Sequence, residues 1–178
     1  MRKFVPLLMI PFISACAMTT ADRSTVSEVV TADLARADGS WAGVATISKR
    51  SDGTFLSLAG EVPTQGTFGM HIHAVGKCEG PEFTSAGGHW NPAMKQHGRD
   101  NPMGAHKGDL PNIVAGADRK FTLEQRIDDL MIEGADGLLD ADGAALIIHE
   151  KADDYRTDPT GNSGKRIICG VFKSGNRS

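Results

Sequence analysis

Trp41-Ala42-Gly43-Val44-Ala45-Thr46-Ile47-Ser48 and Thr54-Phe55-Leu56-Ser57-Leu58-Ala59 flank the short polar stretch Ser51-Asp52-Gly53. The first flank is rich in small and β-branched residues, the second alternates, and Ser-Asp-Gly between them has turn chemistry, so the stretch predicts a β-hairpin. Outward from it, Gly66 to His73 predicts another short strand. Phe121 to Ile132 fits helix or strand by periodicity alone and is assigned as a strand because glycine-rich turns bracket it. Gly134 to Gly143 is a double turn, Ala144 to His149 a buried strand through Leu146, Ile147 and Ile148, and Arg166 to Phe172 a closing strand. Two long aperiodic segments remain, from Ala74 to about Asn112 and from Glu150 to Gly164. Loops of such length inside a compact domain are usually functional. The expected fold class is therefore all-β: an antiparallel sandwich or barrel with two long functional loops.

The 178 residues suffice for one domain and are too few for two ordinary ones. Hydrophobic residues at 40% and charged residues at 23% exclude a disordered or collagenous chain. The 21 glycines are well above average usage, in keeping with short elements joined by turns. A formal net charge of −3 offers no broad basic surface for nucleic acid. Only the first fifteen residues hold a long apolar stretch, which excludes a polytopic membrane protein.

That stretch has the order of an export signal: Met1-Arg2-Lys3 is basic, Phe4 to Ile13 is apolar, and Ile13-Ser14-Ala15-Cys16 follows. The last four residues resemble a lipobox, in which Cys16 becomes the lipidated first residue. Ala15-Cys16-Ala17 also fits simple secretory cleavage. Residues 1–16 are thus expected to be a signal peptide of lipoprotein type, 17–39 a polar tether with a weak apolar stretch at Val29 and Val30, and 40–178 the domain. Either cut removes Arg2 and Lys3 and moves the formal charge from −3 to −5. The expected location is the periplasm or cell envelope, with membrane contact only through the lipid. In that oxidising setting Cys78 and Cys169 form an even pair and predict one disulfide.

The chemistry lies in the six histidines. His71 and His73 are two apart in a strand, so both leave the same face. Taken alone, such a pair is more often an accident of core or surface. His89, His97 and His106 fall in the long loop, and Asp109 follows His106 by three. His149 ends an apolar strand, where an uncompensated polar ring would be costly. No histidine is scattered elsewhere. Imidazole suits zinc and copper, and a carboxylate suits zinc. With both cysteines paired, a thiolate zinc finger is excluded.

Gly69-Met70-His71-Ile72-His73, Thr84-Ser85-Ala86-Gly87-Gly88-His89-Trp90-Asn91-Pro92, His97-Gly98 and His106-Lys107-Gly108-Asp109-Leu110 resemble the metal loop of copper/zinc superoxide dismutases. Ile148-His149-Glu150-Lys151-Ala152-Asp153-Asp154 and Gly161-Asn162-Ser163-Gly164-Lys165-Arg166-Ile167-Ile168-Cys169-Gly170-Val171 are similar to two later signatures of that family. The motifs occur in the family's order from about Ser40 to Phe172. The resemblance implies a Greek-key β-sandwich or flattened barrel, and one copper and one zinc per chain. It implies copper at His71, His73, His89 and His149. It implies zinc at His89, His97, His106 and Asp109, with His89 shared between the two.

In the same resemblance Asp153 orients His71 and His97, and Arg166 holds the superoxide anion. The implied reaction is dismutation of superoxide to dioxygen and hydrogen peroxide, with copper cycling between two oxidation states and His89 taking up and returning a proton. Lys151 and Lys165 would widen a positive funnel, though Asp153, Asp154 and Asp158 share their loop. Trp90 stands where many relatives carry phenylalanine, and Tyr155 to Thr160 is not assigned to any of these motifs. The alternative is a non-catalytic copper-binding or chaperone protein of the same fold, which would be expected to lose a copper ligand or the arginine. A zinc hydrolase is disfavoured, since there is no H-E-x-x-H motif. A homodimer is compatible with the sequence.

Overall fold

In a computed structural model of the chain, residues 26–127 and 130–175 are described. The expected signal segment, Cys16 included, lies outside the described residues, as does the start of the expected tether. The described strands are β1 (Glu28–Arg36), β2 (Trp41–Arg50), β3 (Gly53–Glu61), β4 (Gly66–Phe68), β5 (Met70–His73), β6 (Ile113–Ala115), β7 (Lys120–Arg126), β8 (Ala145–His149), β9 (Arg166–Val171) and β10 (Lys173–Ser174). Among the described residues there is no α-helix, only a 3-10 turn at Thr84–Ala86. The all-β expectation holds.

The strands pair antiparallel in the order β5-β8-β9-β1-β2-β3-β7, and β4 pairs with β6 in a separate ribbon. The chain leaves β3, crosses to the far edge at β5, returns to β7 beside β3, and crosses again to β8. That double crossing is Greek-key connectivity. The β4–β6 ribbon joins the two edges, because β4 runs into β5 through Gly69 and β6 packs beside β7. The sheet thereby curls around one core that includes Val30, Leu34, Ile47, Leu56, Ile72 and Leu146, each 0% exposed.

The β2–β3 hairpin forms as expected. Arg50 pairs with Gly53, leaving Ser51 and Asp52 as a two-residue turn. Alternation buries Ala45 and Ile47 on β2 and Leu56 and Leu58 on β3.

Three expectations are corrected. Residues 28–36 are not tether but β1, central in the sheet between β2 and β9. Val30, Ala32 and Leu34 alternate into the core. The pattern is weak in sequence because Ala32 is small and Thr31 and Asp33 interrupt it. The stretch from Gly66 to His73 is two strands in different sheets, broken at Gly69. Gly69 donates its N–H to the Lys151 carbonyl at 2.7 Å, and its carbonyl accepts the His149 N–H at 2.9 Å. The strand expected to run to Ile132 ends at Arg126. Its partner β3 begins at Gly53, so beyond the Phe55–Arg126 pair little partner strand remains.

A disulfide joins Cys78 to Cys169, with 91 positions between them and Cα atoms 5.7 Å apart. It ties the long loop to β9 over a small apolar cluster of Phe83, Ala86, Ala145 and Ile147. By chain-entropy arithmetic a loop of this size contributes roughly 4–5 kcal/mol.

Candidate metal centre

Strand β5 is buried at all four positions. Alternation sends Met70 and Ile72 into the core and His71 and His73 to the opposite face. The long loop then lies back along the free edge of β5. Ile72 donates its N–H to the Gly108 carbonyl at 2.9 Å, Trp90 donates to the Ile72 carbonyl at 2.8 Å, and Ala74 donates to the Gly88 carbonyl at 3.0 Å. These bonds set His89 opposite His73 and Asp109 opposite His71. Gly108 is required there, since any Cβ would collide with the Ile72 carbonyl. His149 arrives from β8, which pairs with β5.

In His71, His73, His89 and His149 one ring nitrogen is held by a partner and the other is left free. His73 Nδ1 meets the Gly87 carbonyl at 2.9 Å, His149 Nδ1 the Gly164 carbonyl at 3.1 Å, and His71 Nε2 the Asp153 Oδ2 at 2.8 Å. A carbonyl or carboxylate accepts, so the imidazole donates, and the tautomer follows from the partner. The remaining nitrogens, His71 Nδ1, His73 Nε2, His89 Nε2 and His149 Nε2, are buried without a partner. Four orphaned acceptors in one place are costly unless something binds them. Ligand atoms of these four residues all lie within 4.8 Å of one another, so one ion could touch them all.

A second set lies on the other side of His89. Asp109 Oδ1 is 3.0 Å from His89 Nδ1, 3.0 Å from His97 Nδ1 and 3.3 Å from His106 Nδ1. His89 Nδ1 and His106 Nδ1 are 3.2 Å apart. Ligands on a tetrahedral zinc, with bonds near 2 Å, are separated by about 3.3 Å, so the four donors already have the spacing of a closed tetrahedral site. Asp109 Oδ2 is occupied by the N–H groups of Gly98 at 2.9 Å and His106 at 3.0 Å, which turns Oδ1 toward the rings. His71 is also near His89, His97 and Asp109. Its Nε2 is held by Asp153 and its Nδ1 belongs to the first set, so His106 is the better fourth donor.

Asp153 spans the two sets, reaching His71 Nε2 with Oδ2 at 2.8 Å and His97 Nε2 with Oδ1 at 3.0 Å. Gly161 passes directly against this carboxylate with φ +61°, and a side chain there would displace it. Arg166 pairs across the strands with His149, where a bulge shifts the register. Its guanidinium donates to the Phe83 and Gly87 carbonyls, both at 2.7 Å. It lines an open cleft of about 510 Å³ with Glu82, Thr84 and Lys165. Lys151 is exposed and does not line this cleft.

Burial depresses three rings of the first set, His73, His89 and His149. His73 falls to about 2, through burial and then repulsion from His89, and His149 to about 3, through burial and then repulsion from His71. His89 falls to about 4, through burial that outweighs its bond to Asp109. His97 goes the other way: burial opposes its charge, but Asp109 and Asp153 on its two nitrogens raise it to about 9. Despite burial, bonds from the rings hold Asp109 and Asp153 well below the usual carboxylate range. At neutral pH His73, His89 and His149 are thus uncharged imidazoles, the form that binds a metal.

The signs make a pH prediction for the metal-free protein. His73, His89 and His149 gain protons on unfolding below their ordinary value near 6.5, so their contribution is full above that pH and falls with acidification. The contribution of His97 is full below 6.5 and is lost as pH rises through about 9. Thermal melts of chelator-treated protein from about pH 5 to 9 should therefore peak near neutrality, with the steeper fall on the acid side. A melting temperature that rises toward pH 5 would contradict these protonation states.

Copper/zinc superoxide dismutase (SODC) is the family model matched, over residues 41–172. The chain belongs to the copper/zinc superoxide dismutase family. Within it, the chain is 46% identical over 133 residues to the superoxide dismutase-like protein YojM of Bacillus subtilis, covering 72% of this chain and 68% of that one. It is 40% identical over 147 residues to superoxide dismutase [Cu-Zn] 1 of Aquifex aeolicus, covering 80% and 86%. The crystal structure of a SOD-like protein from Bacillus subtilis superposes with a TM-score of 0.75 at 41% identity, over 79% of this chain and 96% of that one.

The residues that the sequence links to this family's metals are gathered here into two adjoining sets around His89. Sequence reasoning missed Asn112 and Tyr155, which touch Asp153 from behind. It also missed the Phe83 and Gly87 carbonyls that seat Arg166. Backbone acceptors and loop contacts leave no residue-type signal.

Proposed function

We propose that this chain is a superoxide dismutase that converts superoxide to dioxygen and hydrogen peroxide. Copper would be held by His71 Nδ1, His73 Nε2, His89 Nε2 and His149 Nε2, and zinc by the Nδ1 atoms of His89, His97 and His106 with Asp109 Oδ1. Four nitrogens suit Cu(II), and three nitrogens with one oxygen suit a closed zinc site. When bound, copper supplies one-electron redox chemistry, taking an electron from one superoxide and giving it to the next.

The chain's residues supply the rest. Arg166 keeps its charge although burial lowers its pKa, and with two N–H groups tied to carbonyls its remaining donors can face a small anion. His89 is held through Nδ1 by Asp109, so that Nε2, when it is not a copper ligand, would be the atom that takes up and returns the proton that peroxide formation needs. Asp153 keeps His71 and His97 in one tautomer and orientation. Lys165 adds positive charge at the cleft and Glu82 opposes it.

One observation carries this reading: four unpartnered buried imidazole nitrogens in one cluster, with an anchored arginine on the adjoining strand. The arginine favours dismutation over mere copper binding, for which an anion site has no use. The disulfide favours an exported protein, and the lipid anchor at Cys16 is part of the same proposal.

The test is metal analysis of the purified protein paired with a superoxide-consumption assay. Protein loaded with copper and zinc should consume superoxide, and copper-free, zinc-loaded protein should not. Full activity without copper would refute the proposal.

A further inference from the structure

All three polar groups of Tyr155 are engaged on different parts of the chain. Its N–H donates to Asp153 Oδ1 at 2.7 Å, its carbonyl accepts the Asp100 N–H at 3.0 Å, and its hydroxyl accepts the Asn112 N–H at 2.7 Å. Asn112 in turn clamps the backbone of Asp153. The Asn112 Oδ1 accepts the Asp153 N–H at 2.9 Å, and the Asn112 Nδ2 donates to the Asp153 carbonyl at 3.0 Å. Together they grip Asp153 at its amide, its carbonyl and its carboxylate.

The backbone at Tyr155 argues that the side chain is what matters there. Its φ is +62°, a left-handed conformation that glycine adopts without steric cost and a bulky residue does not. Gly98, next to His97, lies so close beneath the Tyr155 carbonyl that a Cβ would not fit. Gly98 also donates its N–H to Asp109 Oδ2, so the tyrosine packs directly on the backbone that orients the zinc-set carboxylate. The Arg99 guanidinium covers the tyrosine ring at 6.0 Å from its centroid.

We propose that Tyr155 and Asn112 are positioning residues for the metal centre. They form a brace that fixes Asp153, and through it the His71 ring of the copper set and the His97 ring of the zinc set. The proposal rests on the metal assignment above. It adds that the two loops are locked together by a polar contact whose loss is felt at both metals at once. Carboxylates that orient ligand histidines typically govern metal affinity by about 10–100-fold, so residues acting through one should govern a smaller share, roughly threefold to tenfold.

The experiment measures zinc affinity by chelator competition, and the visible absorption of the Cu(II)-loaded protein. The samples are the full chain, Tyr155→Phe, Asn112→Ala, Asp153→Asn and the double variant Tyr155→Phe with Asp153→Asn. Tyr155→Phe and Asn112→Ala are expected to weaken zinc binding and to shift the copper band in the same direction as Asp153→Asn. The double variant should bind zinc no more weakly than Asp153→Asn alone, because the hydroxyl that Tyr155→Phe removes bonds Asn112 and reaches the ligand rings only by way of Asp153. Additive losses in the double variant would overturn the proposal. So would normal zinc affinity and an unshifted band in the two single variants, even if both melt at lower temperature. A wild type that binds both metals and shows this coupling, yet leaves superoxide untouched, would support the brace and refute the dismutase reading.

Discussion

His149→Ala should reduce superoxide consumption by at least about a hundredfold while the protein stays folded and keeps its zinc, since even residues behind a metal ligand govern affinity on that scale. The expectation follows from how the two sets divide. His149 offers Nε2 to the first set alone, and none of the contacts among His89, His97, His106 and Asp109 involves it. Its other nitrogen is spent on the Gly164 carbonyl, so the substitution frees one carbonyl at the mouth of a loop. The ring is only 2% exposed at the end of β8, and truncation there should cost on the order of 1–3 kcal/mol. The protein should tolerate that, because the disulfide and the zinc set hold the long loop independently. The measurements are metal content per chain, superoxide decay, and near-UV circular dichroism. If His149→Ala turned over superoxide at the wild-type rate, the copper assignment would fail.

Arg166→Glu should slow the reaction by about a hundredfold at low salt, within the range by which a focused field changes encounter rates. Arg166→Lys should cost less. Lysine keeps the charge but loses the planar fork that bonds the Phe83 and Gly87 carbonyls, so its ammonium would be less well fixed over the cleft. Glutamate reverses the charge next to Glu82 and leaves those two carbonyls without donors. The wild-type rate should fall as salt rises, because steering is screened over about 10 Å at 0.1 M. Arg166→Glu should lose that dependence or invert it. The measurement is rate against ionic strength for the three proteins, each checked for equal copper content. Equal rates for wild type and Arg166→Glu at low salt would remove Arg166 from the anion site.

Much of this was legible in the sequence, for identifiable reasons. The β2–β3 hairpin was readable because alternation and turn chemistry are local, and a two-residue turn needs no distant partner. The shared face of His71 and His73 follows from the pleat alone. The disulfide followed from an even cysteine count and an export signal. The two loops were marked by their want of periodicity, and their motifs carried the family.

Other features depended on residues far apart in the chain. Val30, Ala32 and Leu34 are too small and too interrupted to announce a strand, and only β2 and β9 on either side make β1 central. Gly69 divides one apparent strand into two because Lys151 and His149, about eighty positions on, claim its backbone groups.

The site shows the same division. Residue types and spacing, together with the family resemblance, pointed to metal chemistry at the six histidines and Asp109. Which nitrogen of each ring is free was decided by the Gly87 and Gly164 carbonyls and by Asp153, and those partners arrive only when the loops close on β5 and β8. The grip of Tyr155 and Asn112 on Asp153 joins segments about forty positions apart by pairing two side chains with backbone N–H and carbonyl groups. Every residue carries such groups, so their pairing leaves no mark in the sequence and exists only in the folded chain.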